Sequence, residues 1–598
     1  MKITVQGQGQ VTLLQSDFVA AGGEGSVYCK GATAYKIYAD PKRMLPLGKM
    51  AELAAISDKD VIKPEVVLLD TKSSSPVGYT MRFVPNTMPL CQIFTRAFRE
   101  REGLDHATML RLVQALQARV QSVHAAGVVV VDLNEMNYLV DRRFAAVLAI
   151  DVDSYQTRSY PASALMPSVK DWQVTGSHFT VLSDWFSFAC VAFQMFVGIH
   201  PYKGQHATLK GFEARMQANA SALGPDVKVP AVVYPFSEIP SGYLAWFKAV
   251  LQDGKRIAPP NDPLAMLTPV TSGAAVAAPL GPCKILPPRS GVAASSADRL
   301  EIVELFRMNG AIVGYLSGAA QQSPLGVGVH AAAWTDREIL LDGRPSQALH
   351  VRAAGMSVRL GEVVSISLET VDPNSPRYVV RAEQHGRREL FVAPATTISG
   401  VMAYHGRLYA KAGSTIVELA LHEAMGAVSV RPNVVANVLE HATRLYDGAA
   451  LTSMLGASYV SIFPEAGSHH QVRVSELDGL NVVDVKYDGA GNKGVLMVVA
   501  GKGGTYARLT FVVDEAAESA QLVARVEDIT PAGLNFIALE SGVCVEVTED
   551  DKLEVWSYQH PSKARQQVAS LGNDMRLVHH KGGVGGIRGQ TIYSLKMR

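Results

Sequence analysis

The chain has 598 residues, 48% hydrophobic and 19% charged, with a formal net charge of +1. That length suggests about two to four domains, and the composition a globular rather than a disordered chain. The near-neutral balance excludes a global field that would draw the protein to nucleic acid or to an anionic membrane. Cys29, Cys91, Cys190, Cys283 and Cys544 are scattered and form no CxxC pair. This argues against a disulfide framework and against a zinc site, and fits a reducing compartment. The opening MKITVQGQGQ lacks the apolar core of a signal peptide, and the longest apolar run, 186–199, is shorter than the roughly 20 residues that span a bilayer. A soluble, cytoplasmic protein is expected, with that run as a buried helix.

Short β-like runs come first: SVYCKG, AYKIYA and VGYTMRFV. Gly22, Gly23, Gly25, Ser26 and Val27 lie between two such runs. There a backbone can close over phosphates without Cβ obstruction, or simply make a Gly-rich hairpin turn. Lys36 follows inside an apolar strand, where a buried ammonium needs a partner; the helix-like GKMAELAAI offers Glu52. Met109, Leu112, Val113, Leu116, Val120 and Val123 recur at helical spacing and predict a helix with one apolar face. VVVVDLNEMNYLVD then sets Asp132, Asn134, Glu135 and Asn137 between two strand-like runs, and AVLAIDVDSYQ runs into Asp151 and Asp153. Asp184 opens a helix that is apolar all round. It is expected to cap that helix and tie down a preceding loop through backbone N–H groups, with His124 structural.

The ordered set of Gly loop, Lys, Glu, Asp-x4-Asn and Asp resembles the protein-kinase superfamily. The likeness covers about residues 15–257 and is closest to divergent bacterial Ser/Thr-kinase-like domains. AGGEGSVY is similar to the glycine-rich loop, AYK to the strand bearing the ATP lysine, DLNEMN to the catalytic loop and IDVDSYQ to the metal-binding segment. The resemblance implies an α+β bilobal domain at 1–257, with a small lobe of about 1–85 and a large lobe of about 86–257. It also implies ATP and Mg²⁺ as cofactors. Asp132 would accept the proton of the substrate hydroxyl, and Asn137 and Asp151 would hold Mg²⁺. Lys36, oriented by Glu52, would grip the α- and β-phosphates beneath the Gly22–Val27 amides.

Four positions depart from the pattern. Val130-Val131 replace the His-Arg before the catalytic Asp, so no phosphate on the following segment is expected to be required. Asn134 stands where Lys is usual; its amide can donate to the γ-phosphate but brings no charge. Asp153 replaces a Gly, and is either strained there or an extra carboxylate near the metal. Leu165-Met166-Pro167-Ser168 replaces the usual Ala-Pro-Glu.

Residues 258–297 are rich in Pro, Ala, Gly and Ser and read as a linker. Beyond it, at 298–598, the helical period nearly vanishes and short strands recur in units of roughly 40 to 55 residues. A six- or seven-bladed β-propeller is expected, with a β-sandwich pair as the competing architecture. His469-His470 and His579-His580 lack partners at metal-ligand spacing, and Glu549-Asp550-Asp551 reads as a solvated turn. The functional expectation is an ATP- and Mg²⁺-dependent Ser/Thr protein kinase whose second domain docks a protein partner or substrate. The alternatives are a pseudokinase scaffold and a kinase of small molecules.

Overall fold

A computed structural model gives the architecture. It describes residues 1–22, 24–176, 179–261, 300–307, 331–334, 339–342, 351–359, 362–370, 378–384, 388–395, 398–404, 407–424, 427–465, 467–502, 504–529, 533–580, 583–588 and 591–597. Gly23 and most of the expected linker lie outside these.

The N-terminal domain opens with a curled antiparallel sheet of seven strands: β1 (Lys2–Val5), β2 (Gly9–Thr12), β3 (Phe18–Ala21), β4 (Gly25–Lys30), β5 (Thr33–Tyr38), β6 (Val67–Asp70) and β7 (Pro76–Arg82). Their order is β2-β1-β6-β7-β5-β4-β3. The short helix α1 (Leu47–Leu53) interrupts the run between β5 and β6. After β7 the chain becomes mainly helical, with α2 (Arg96–Glu102), α3 (His106–Ala125), α4 (Val181–Val197), α5 (Phe212–Gln217) and α6 (Ser241–Phe247). A small sheet, β8 (Thr87–Pro89), β9 (Tyr138–Asp141) and β10 (Val147–Ala149), holds the loops between α3 and α4 in the order β10-β9-β8.

Local chemistry explains the two long helices. Asp105 caps α3 by accepting from Thr108 N at 2.8 Å, and the apolar positions read from spacing are the ones buried. Helix α4 starts at Thr180, which accepts from Leu182 N, and ends at Gly198 with φ 83°. A Cβ at Gly198 would lie 2.9 Å from Phe94 O, so the turn demands glycine twice over. The last carbonyls of α4 are not left to solvent. Arg99, fully buried, donates to Phe196 O at 2.9 Å and to Gln194 O and Met195 O. Among the described residues, no helix is long and apolar enough to cross a membrane.

The later region is all β. Its described residues form six four-stranded antiparallel sheets and a two-stranded hairpin, Ala331–Trp334 with Ile339–Asp342. Five of the sheets are consecutive meanders, at 351–395, 398–437, 443–473, 481–526 and 536–570. The sixth joins the region's two ends: Leu300–Arg307 pairs antiparallel with Thr591–Met597, beside Gly583–Arg588 and Arg576–His580.

The region is not merely tethered. One hydrophobic core runs from Tyr38 through α3 and α4 and takes in Val483, Val495, Met497, Val499, Tyr506, Ile529 and Trp556 of the all-β sheets. Polar contacts frame it: Gln92 Nε2 to the Tyr446 hydroxyl at 3.4 Å, Gln205 Nε2 to Asp550 Oδ1 at 3.3 Å, and Ala231 N to Asp551 Oδ2 at 3.0 Å. Two members of the acidic run expected to be a solvated turn thus face the N-terminal domain.

Candidate functional site

Lys36 sits in β5 opposite Val27 of β4 and Tyr79 of β7, and is buried. Its ammonium meets three carboxylates: Asp153 Oδ2 at 2.8 Å, Asp151 Oδ1 at 3.3 Å and Glu24 Oε2 at 3.4 Å. The Tyr38 hydroxyl donates to the same Asp153 oxygen. Burial alone would pull the Lys36 pKa down, but Asp151 and Asp153 outweigh it and hold the ammonium above its ordinary range. Burial works likewise to raise the Asp153 carboxyl, and Lys36 with the tyrosine hydroxyls turns the balance downward. Both groups stay charged.

Glu52 is not the partner expected of it. Its carboxylate accepts from Ser159 N at 3.1 Å, and hydrogen bonds to Ser159 and Thr157 hold its pKa low. Helix α1 presents Lys49 inward instead, one turn earlier; its Nζ donates to Asp153 O at 2.7 Å and Pro161 O at 3.3 Å. Asp153, which stands where a Gly was expected, therefore supplies the carboxylate that fixes Lys36. The available signal was an acid two residues beyond Asp151, at the end of an apolar strand.

The strand β4 explains the loop above Lys36. Gly25 pairs with Tyr38 so closely that a Cβ would sit 2.1 Å from Ile37 O, so only glycine fits. Gly22 N donates to Gly25 O at 2.8 Å and Ala39 N to Glu24 O at 2.9 Å, which closes the turn and aims Glu24 at Lys36. Ser26 and Val27 are half-buried on β4.

The run Val128–Val131 is not a strand. Val129 makes a single bridge to Gln156, and Val131 has φ 66°, an uncommon conformation for a β-branched residue. Asp184, fully buried, holds that backbone: Oδ2 accepts from Val130 N at 2.7 Å and Oδ1 from Val131 N at 2.8 Å, while His124 Nε2 lies 2.8 Å from Oδ2. Thr180, not Asp184, caps the helix.

The next loop is folded by its own side chains. Asn137 Nδ2 donates to Asp132 O at 2.9 Å and to Asp132 Oδ2 at 3.2 Å, and Met166 N donates to Asp132 Oδ1 at 2.7 Å. Asn134, expected to reach a phosphate, is spent on the loop: its Nδ2 donates to Asp132 O at 3.3 Å and its Oδ1 accepts from Met136 N at 2.8 Å. Ile150 N donates to Asn137 O at 2.9 Å, which sets Asp151 beside Asn137 across the β9–β10 pair.

Asp151 takes a left-handed conformation, φ 55° and ψ 35°, and its side chain is 51% exposed at the cleft. Asn137 spends its amide nitrogen on Asp132, which leaves a carbonyl oxygen as acceptor. These are two hard oxygen donors, of the type that could hold Mg²⁺. Among the described residues, no set of three or more His, Cys, Asp and Glu is arranged to hold a metal by itself. Of the paired histidines, His579 bonds Asp488 and His470 faces Glu518. No protein-family model matches the chain, and no curated protein matches its sequence.

Proposed function

We propose that the protein is an ATP- and Mg²⁺-dependent phosphotransferase of the Ser/Thr protein-kinase type, with a seven-bladed β-propeller as its second domain. The observation that carries this reading is the meeting of Lys36 with Asp151 at 3.3 Å, across more than a hundred residues of chain, beside the Asp132–Asn137 pair. In this reading the sheet β1–β7 is the small lobe and the helical part is the large lobe. The six four-stranded sheets and the hairpin are the blades, with Leu300–Arg307 latching the last onto the first.

Lys36 would bind the α- and β-phosphates, with Asp153 in the orienting role assigned by sequence to Glu52. Asp132, its carboxylate held by Asn137 Nδ2 and Met166 N, would take the acceptor hydroxyl's proton on a remaining lone pair. Asp151 and the carbonyl of Asn137 would hold Mg²⁺, which when bound supplies neutralising charge to the phosphates. The cleft itself argues for that cation. Glu24, Asp151 and Asp153 outnumber the ammonium groups of Lys36 and Lys49, so a bare triphosphate would meet net repulsion.

One observation favours a second reading, a nucleotide-binding scaffold without transfer: Asn134 is buried and its amide is turned to its own loop, with Nδ2 on Asp132 O and Oδ1 on Met136 N. Incubation with labelled ATP and Mg²⁺ separates the two. Transfer that falls about a thousandfold in Asp132→Ala and Asp151→Ala supports the enzyme. Magnesium-dependent binding with no transfer supports the scaffold, and no binding at all sinks both.

A further inference from the structure

We infer that the all-β region is a permanent ordering element for the two loops that meet at Asp132, with Tyr506 a positioning residue for one and the turn at Gly504 a seat for the other. The catalytic part of this inference rests on the phosphotransferase reading; the ordering part does not.

The first contact is between Tyr506 and Glu135. The Tyr506 hydroxyl donates to Glu135 Oε1, and both side chains are buried. Glu135 lies inside the Asp132–Asn137 loop, so this bond reaches the loop's backbone from a sheet nearly four hundred residues later in the chain. A carboxylate at such a position is costly unless paired, and a phenol from the other region is the partner it has.

The second contact involves the turn between strands Lys493–Lys502 and Thr505–Asp514. Gly504 lies so close to the 154–171 segment that a Cβ would be 2.2 Å from Ser168 Oγ and 3.0 Å from Met166 Sδ. Met166 is the residue whose N–H donates to Asp132 Oδ1. From the other side, His200 Nε2 meets Ser168 O at 2.8 Å and Ser187 Oγ donates to Val169 O at 2.7 Å. The segment end is thus gripped between the two parts of the molecule.

The sequence supplies the reason such a grip is needed. Val130-Val131 offer no basic side chain where the resemblance implies an Arg that reads a phosphate, so ordering of the segment by an added charge is not expected. Fixed contacts from a second domain do the same work without a switch.

The test uses the full chain and amide hydrogen exchange. Gly504→Val is expected to speed exchange in 163–170 about tenfold or more, and Tyr506→Phe to do so in 130–138. Exchange in β5 and affinity for MgATP should stay within about twofold in both, while the transfer rate falls about tenfold with little change in the acceptor KM. Glu135→Gln keeps an acceptor for the Tyr506 hydroxyl and should leave exchange in 130–138 near wild type. Unchanged exchange in both loops overturns the inference, and so does transfer at the wild-type rate once the loops are loosened. If Gly504→Val does not fold, Gly504→Ala decides by the same readings. Loops that loosen in a protein that binds no nucleotide would overturn the phosphotransferase reading and leave the ordering role standing.

Discussion

The cleft around Lys36 and the seam around Glu135 bury their ionisable groups by opposite rules. In the cleft, charge is kept on: burial opposes the ammonium of Lys36 and the carboxylate of Asp153, yet each holds the other ionised. At the seam, burial works against charge. It raises the pKa of Glu135, although the hydrogen bond from the Tyr506 phenol pulls the other way, and drives the pKa of His200 down to about 3. The difference teaches where to look for chemistry. Half-exposed charges paired with a buried one can be exchanged for a charged ligand, whereas groups whose charge burial opposes serve packing.

Asp153→Asn should be the most damaging change, because it leaves a buried ammonium without its nearest carboxylate. We expect a loss of about 3 kcal/mol in urea unfolding. The loss should shrink in acid, since a carboxyl with a depressed pKa contributes stability above its ordinary titration range and loses it as pH falls through the depressed value. A cost below about 1 kcal/mol would mean that Asp151 and Glu24 suffice, and the contrast between the two regions would fail.

The seam should respond to milder acid. His200 accepts from Tyr202 N through Nδ1 at 3.2 Å and meets Ser168 O through Nε2, so it is held as the neutral ring. Its folded pKa lies below the ordinary 6.5, so its contribution is full above that pH and declines as pH falls toward 3. Between pH 7 and 5 the protein should lose about 2 kcal/mol, and His200→Gln should remove that dependence. A flat profile in the wild type would break the assignment.

Glu135→Gln should act the other way. A carboxyl with a raised pKa contributes its stability below its ordinary range and loses it as pH rises through the raised value. The variant should therefore gain on the wild type, by about 1 kcal/mol near neutral pH, in paired denaturation curves. The smallest effect belongs to Glu52→Gln: its carboxylate lies at the surface away from Lys36, and neither the unfolding midpoint nor the MgATP titration should move measurably.

Much of this was legible in the residues. Helix periodicity marked the buried face of α3, a continuous apolar run marked α4 as buried, and the alternation of strands and glycine turns marked the all-β region. The order Lys36, Asp132, Asn137, Asp151 announced that side chains far apart in sequence should gather; Lys36 and Asp151 do meet, while Asp132 and Asn137, close in sequence, bond within one loop. The misreadings share a cause. Glu52 or Lys49 facing inward is a matter of one helical turn, and a seven-residue helix is too short for its apolar pattern to fix which. Asn134 was judged by its donor and acceptor groups alone, but a tight loop consumes short amides locally. Glu549-Asp550-Asp551 looked solvated because no single-chain pattern reveals a surface that a distant part of the same chain will cover.

The latch between Leu300–Arg307 and Thr591–Met597 has a consequence for how the molecule is made. Its first half emerges from the ribosome long before its second, and bringing such distant segments together carries a late loop-closure cost. Until residue 597 is available, Leu300–Arg307 must wait as an open β-edge, the kind of surface that invites a stray neighbour. Nascent chains stopped short of that point should depend most heavily on chaperones.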